Sequence, residues 1–87
     1  NRQLLIIRGD LSMQNTIEGV VDTFFNRSAH QIVKSASGKS FELVYGISGS
    51  KLKRANTKNS IDIVQKLMKT EGVESANLVE QTDDIGR

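Results

Sequence analysis

The spacing of apolar residues changes along the chain and marks successive secondary-structure elements. A continuous apolar run between polar residues is typical of a buried strand, here at about 3–8, and it reads Leu4-Leu5-Ile6-Ile7. Apolar residues then recur at helical spacing over about 13–26, in a stripe made of Met13, Ile17, Val20, Val21 and Phe24. Ser12 is the expected N-cap, because its hydroxyl can accept from free N–H groups of the first turn.

The middle of the chain alternates with a period of two residues, which predicts a β-hairpin. Its strands are expected at about 29–36 and 40–47, joined by a tight turn at Ser37-Gly38-Lys39 where glycine is free to take a positive φ. One side of the second strand carries Phe41, Leu43, Tyr45 and Ile47. The pattern leaves open which side of the hairpin is buried.

A polar stretch from Ser48 to Ser60 is predicted to be a solvated loop. A second helix is expected to follow it, capped by Asn59 or Ser60 and closed by Glu71-Gly72. The apolar stripe of this helix is Ile63, Val64, Leu67 and Met68. A last strand is expected over Val73 to Glu80.

The resulting order is β-α-β-β-α-β, which predicts an α+β, ferredoxin-like two-layer sandwich. Right-handed crossovers place both helices on one face of a four-stranded antiparallel sheet with strand order 4-1-3-2. We expect residues 1–80 to form a single domain and residues 81–87 to form a polar tail. The residues expected in the core include Ile17, Val21, Phe24, Val64 and Leu67.

Composition excludes several classes of protein. With 87 residues the chain can hold one small core. The absence of Cys removes disulfide scaffolds, thiolate zinc sites, iron–sulfur clusters and cysteine nucleophiles. Twelve basic residues against ten acidic ones leave a formal charge of +2, which is weak evidence for a polyanionic partner.

No arrangement of side chains in the sequence indicates an enzyme, a metal site or a cofactor site. His30 is the one histidine, and no nucleophile or acid stands at a spacing that would pair with it. Glu18 and Asp22 share a helix face and are interpreted as its solvated side. An RNA-recognition sheet needs aromatic residues on its first strand as well as its third, and the first strand has none. Nucleic acid is therefore not expected as a partner.

Two regions are candidate binding sites. The first is the first strand-to-helix turn, made of Arg8, Gly9, Asp10, Leu11 and Ser12. Its glycine would let a ligand approach the backbone closely, and the start of the helix leaves N–H groups free. Its acid could accept a hydrogen bond from an amino group of the ligand. The competing interpretation is that Gly9 and Asp10 only build and cap the turn. The second region is the predicted loop at 51–58, whose bases are Lys51, Lys53, Arg54 and Lys58.

Three segments carry a resemblance to a known family. They are Leu4 to Asp10, the run Phe41-Glu42-Leu43-Val44-Tyr45, and Gly72-Val73-Glu74-Ser75-Ala76-Asn77-Leu78. Together they resemble the small C-terminal cytosolic domain of MgtC/SapB/YhiD-type and related uncharacterised bacterial membrane proteins. The Gly-Val-Glu-Ser segment is also similar to ACT-type regulatory domains. The resemblance implies an ACT-like, noncatalytic domain, and it supplies no catalytic residue.

These observations lead to two functional hypotheses. The first is a regulatory or oligomerisation module, excised from a larger membrane protein and located in the cytoplasm at the inner face of the membrane. It is expected to form a homodimer by edge pairing or sheet packing and to bind a small molecule at residues 8–12. The second is a binder of nucleic acid or anionic surfaces that uses the bases at 51–58.

Overall fold

A computed structural model describes residues 2–81, and its elements follow the predicted order with two additions, a 3-10 turn and a helix. The strands are β1 (Arg2–Asp10), β2 (His30–Ser37), β3 (Ser40–Ser48) and β4 (Val73–Gln81). The helices are a 3-10 turn (Leu11–Met13), α1 (Gln14–Phe24), α2 (Gly49–Asn59) and α3 (Ile63–Met68). The sheet is antiparallel throughout, in the order β2-β3-β1-β4, so the predicted ferredoxin-like topology is confirmed.

The core lies between one face of the sheet and the helices. Leu5 and Ile7 of β1 are fully buried and pair with β3 residues of the same inner face. The alternating β3 residues Phe41, Leu43, Tyr45 and Ile47 are all buried, which decides the face that the hairpin pattern left open. Of the five expected core residues, Ile17, Val21, Phe24 and Leu67 are buried, whereas Val64 is only partly buried.

The prediction of a loop between β3 and the next helix is wrong. Residues 49–59 form α2, which Ser48 begins by accepting a hydrogen bond from the N–H of Lys51 at 3.2 Å. Leu52 and Ala55 lie one turn apart and pack on the core, so a short apolar stripe holds this otherwise polar helix in place. Ser60, with φ 57°, ends it in the left-handed region.

The helix caps also differ from the predictions. Asp10, not Ser12, caps the 3-10 turn, and α1 then begins at Gln14. Asp62 caps α3, which ends at Met68, before the predicted close at Glu71-Gly72. Met68 is 52% exposed and therefore not part of the core. Gln81 belongs to β4, and residues 82–87 of the predicted tail lie outside the described residues.

None of the helices within residues 2–81 is long and apolar enough to cross a membrane.

Candidate functional site

The first strand-to-helix turn uses its own polar groups to hold itself together. The N–H of Asp10 donates to the carbonyl of Gly72 at 2.8 Å, and the N–H of Leu11 donates to the carbonyl of Lys39 at 2.8 Å. The carboxylate of Asp10 accepts from the N–H of Ser12 at 3.0 Å and from its hydroxyl at 2.9 Å. These hydrogen bonds from Ser12 lower the pKa of Asp10 below its usual value, because they favour the ionised carboxylate.

Gly9 is closely surrounded in the same turn. A Cβ on Gly9 would overlap the carbonyl oxygen of Gly72 and lie 2.9 Å from the ring of Phe41. Gly72 itself has φ 92°, in the left-handed region that favours glycine. The two glycines thus let β1 and the start of β4 approach each other, a role that concerns packing rather than a ligand.

The outer face of the sheet is not covered by any helix described here. Cross-strand neighbours on this face form rows: Val79 beside Leu4 and Gly46, and then Ile6 beside Val44 and Val33. Val79 is 45% exposed and Val33 is 38% exposed, whereas Leu4, Ile6 and Val44 are half-buried by their neighbours. The middle of the outer face is therefore apolar and open.

Charged residues lie at both ends of these apolar rows. At one end Arg8 donates to Glu42 at 3.2 Å, in an exposed ion pair between neighbouring strands. At the other end Arg2 pairs with Ser48 and Gln81 in the sheet, and His30 pairs with Gly46. The outer face thus carries an ion pair at one end and basic side chains at the other.

A cavity of about 700 Å³ lies at the basic end of the outer face. It is lined by Arg2 from β1, His30 from β2 and Lys51 from α2. Its other lining residues are Ser28, Gly46, Ile47, Ser48 and Gln81. No carboxylate within residues 2–81 is among them, so cations, hydroxyls and an amide define its chemistry.

A second cavity of about 250 Å³ adjoins the first, since both are lined by Ser28 and Lys51. Its basic residues are Lys51, Arg54 and Lys58, which the helical spacing of α2 places on one side. Phe24, Phe25, Asn26 and Ala55 complete the lining. We call the two cavities together the basic groove.

The basic groove brings together part of the predicted basic surface and adds residues that the sequence analysis missed. Lys51, Arg54 and Lys58 line it, whereas Lys53 does not. Arg2 was not singled out from the sequence, and His30 was considered only as a general base. Their positions in the groove follow from sheet register, which pairs Arg2 with Ser48 and His30 with Gly46. No pattern within one segment could have indicated this.

The remaining candidate groups serve the fold. Glu18 accepts from Gln31 at 2.8 Å and forms an ion pair with Lys34 at 3.3 Å, so it joins α1 to β2. Within residues 2–81 no three His, Asp or Glu side chains lie close enough together to hold a metal ion. Burial raises the pKa of Tyr45, whose hydroxyl accepts from Gln31 at 3.2 Å.

Comparison with known proteins identifies structural relatives only. No protein family matches the chain, and no curated protein sequence does. The chain is similar to the solution NMR structure of the ACT domain from GTP pyrophosphokinase of Chlorobium tepidum, with a TM-score of 0.59 and 22% identity, over 100% of this chain and 94% of that one. The crystal structure of the same domain gives a TM-score of 0.56 and 22% identity, over 90% and 96%. The fold is therefore ACT-like.

Proposed function

We propose that this chain is a noncatalytic regulatory module that self-associates as a homodimer through the outer face of its sheet. The observation that carries the proposal is the open apolar middle of that face in an ACT-like fold. Covering these side chains would remove apolar surface from water, at about 25 cal/mol for each Å² buried. A second copy of the chain is the proposed occupant.

The charges of the outer face favour a second copy over an unrelated partner. Arg8 and Glu42 stand side by side there, so the face carries both signs at one end. A two-fold axis that lies in the interface, parallel to β1 and β3, would let Arg8 of each copy approach Glu42 of the other while the apolar rows meet. Such self-complementarity is the requirement of an isologous interface.

The edge strand β2 is a weaker candidate for the interface. All eight of its residues are exposed, but its register shifts between Gln31 and Val33, and Lys34 lies along it. Bulges and lysines on an edge disfavour pairing with another strand. Sheet packing is therefore proposed in preference to pairing along β2; the other edge of the sheet is β4.

The test compares two exposed apolar residues on different surfaces. Val79→Lys places a charge on the outer face, whereas Met68→Lys places one on α3, where the side chain is 52% exposed. We expect sedimentation equilibrium to show a dimer for the parent and for Met68→Lys. For Val79→Lys the dissociation constant should rise about tenfold or more, because the new charge loses water at the interface. A parent that stays monomeric at millimolar concentration would contradict the proposal.

The predicted small-molecule site at residues 8–12 remains a proposal of its own. The N–H groups of Asp10 and Leu11 are already used, so a ligand there would have to reach the free carboxylate oxygen of Asp10 or displace Ser12. Amide chemical shifts measured with amino acids and nucleotides test it: a saturable change at 8–12 would support the site, and none would exclude it.

A membrane-bound parent and a place at the inner face of the membrane also remain proposals, supported by the sequence resemblance alone. Hydrophobic spans of about 20 residues encoded upstream in the same gene would support them.

A further inference from the structure

We propose that the basic groove binds a small organic phosphate that carries at least two phosphoryl groups. Arg2, His30 and Lys51 would bind one end of the ligand, and Arg54 and Lys58 would bind the other. This inference adds a ligand class and a site to the regulatory module, and it does not depend on self-association.

The first argument is the charge of the groove. Cations from β1 and α2 converge on it, together with the imidazole of His30 from β2, although these residues are far apart in the sequence. Within residues 2–81 the ion pairs join Arg8 to Glu42 and Lys34 to Glu18, so none of them neutralises a cation of the groove. Like charges gathered in one concavity repel one another and raise the local concentration of anions, and a multiply charged anion relieves that repulsion.

The second argument is the placement of Arg2. The guanidinium of Arg2 lies over Gly46. A Cβ added to Gly46 would overlap this guanidinium and would lie 2.6 Å from Nε of Arg2. Gly46 therefore leaves the space that Arg2 fills, and the planar donor fork rests at the wall of the cavity. Such a fork matches the oxygen geometry of a phosphoryl group, to which arginine binds with two parallel hydrogen bonds.

The third argument is size and polarity. A volume of about 700 Å³ falls within the range of small-molecule sites and exceeds what a lone ion needs. Ser48 and Gln81 add hydroxyl and amide donors beside Arg2. The adjoining cavity of about 250 Å³ continues past Lys51 to Arg54 and Lys58, so a second anionic group has its own cations.

A nucleic acid fits the groove less well than a small phosphate does. Single-stranded nucleic acids bind proteins by stacking bases on exposed aromatic rings as well as by charge. The chain has three Phe and one Tyr, and each is at most 5% exposed. The cations also line concave cavities rather than an extended ridge.

The experiment titrates the full chain with inorganic pyrophosphate at physiological salt and follows amide chemical shifts. The affinity for orthophosphate shows whether two phosphoryl groups are needed. The affinity for citrate shows whether the groove prefers phosphate to carboxylate groups. We expect saturable shifts at residues 28–30, 46–51 and 54, with pyrophosphate binding about tenfold more tightly than either comparator, because it makes more charge-assisted hydrogen bonds. Equal or tighter binding of citrate or orthophosphate would overturn the ligand class.

Matched variants test the site. Arg2→Gln and Lys51→Gln should each weaken pyrophosphate binding about fivefold or more, because each removes a charged donor. Lys53→Gln removes the same charge from the same helix outside the groove and should leave the affinity unchanged. Gly46→Ala should weaken binding as Arg2→Gln does while the protein stays folded, since the added methyl displaces only the mobile end of Arg2.

Further outcomes would overturn the proposal. One is the absence of saturable binding. Another is an equal loss of affinity for Lys53→Gln and Lys51→Gln, which would indicate diffuse attraction. A third is a short RNA that binds more tightly than pyrophosphate and loses affinity equally in all lysine variants. Repeating the titration with Val79→Lys separates this proposal from self-association. The affinity should not fall, because Val79 does not line the groove and the added charge is positive, and a loss of affinity would contradict a site within one chain.

Discussion

The first strand-to-helix turn and the basic groove contain similar residues, each with glycine, serine and charged side chains, yet they differ in what these groups do. In the turn, the N–H groups of Asp10 and Leu11 and the carboxylate of Asp10 are engaged within the fold. In the groove, the cations face a cavity and take no part in the ion pairs of residues 2–81.

The difference shows why residue types alone do not identify a binding site. A glycine beside an acid and a serine can equally hold a ligand or hold two strands together. Which of these applies depends on whether hydrogen-bonding groups remain free once the chain has folded, since each group satisfied internally is lost to a ligand. By this criterion the groove has more capacity to bind than the turn.

The largest expected effect concerns the base of the groove. Phe24 lines the second cavity and is 5% exposed, with its ring against Phe25 at a centroid distance of 5.0 Å. Phe24→Ala should lower the free energy of unfolding by about 3–5 kcal/mol, because it removes a buried ring and leaves a cavity. Urea denaturation measures this, with the exposed Met68→Ala as control. A change below about 1 kcal/mol would show that the ring is not part of the core.

A smaller loss is expected at the turn. Gly9→Ala should destabilise the protein by about 1–3 kcal/mol, because the methyl group would overlap the backbone of Gly72. Gly19→Ala is the matched control: it lies in α1 with nothing within 4 Å of its Cβ position, and it should stabilise the protein by about 0.5–1 kcal/mol. Thermal unfolding compares the two. If Gly9→Ala leaves stability unchanged, β1 and the start of β4 do not pack closely at Gly9, and the turn does not differ from the groove in the way proposed.

The smallest effect concerns the charge of Asp10. Because Ser12 lowers the pKa of Asp10 in the folded protein, the ionised carboxylate stabilises the fold at a pH above the ordinary aspartate pKa. This contribution is lost as the pH falls through the lowered pKa. Asp10→Asn should therefore have a slightly lower urea midpoint than the parent at neutral pH, and the difference should disappear in strong acid. In a Ser12→Ala background, the difference in urea midpoint between Asp10→Asn and its parent should be smaller. A difference in midpoint that persists in strong acid would point to another cause.

Regular patterns in the sequence were sufficient to predict the sheet and most of the core. The alternation of Phe41, Leu43 and Tyr45 and the helical spacing of Ile17, Val21 and Phe24 each lie within one segment, and the structure buries all six. The α2 helix was missed because its apolar stripe has only Leu52 and Ala55. So short a stripe gives a weak periodic signal, and packing on the core stabilises the helix instead.

The sequence by itself determined the order of the four strands and of the helices α1 and α3, and with it the ferredoxin-like topology, because local periodicity and right-handed crossovers leave few alternatives. Only the tertiary structure decided where the free polar groups lie. Pairing of β1 with β3 and of β2 with β3 brought Arg2 and His30 to the same end of the sheet as Lys51. Tertiary packing also placed Gly9 against Gly72, where the N–H of Asp10 donates to the carbonyl of Gly72. Contacts between distant segments depend on register and packing, which no single stretch of residues specifies.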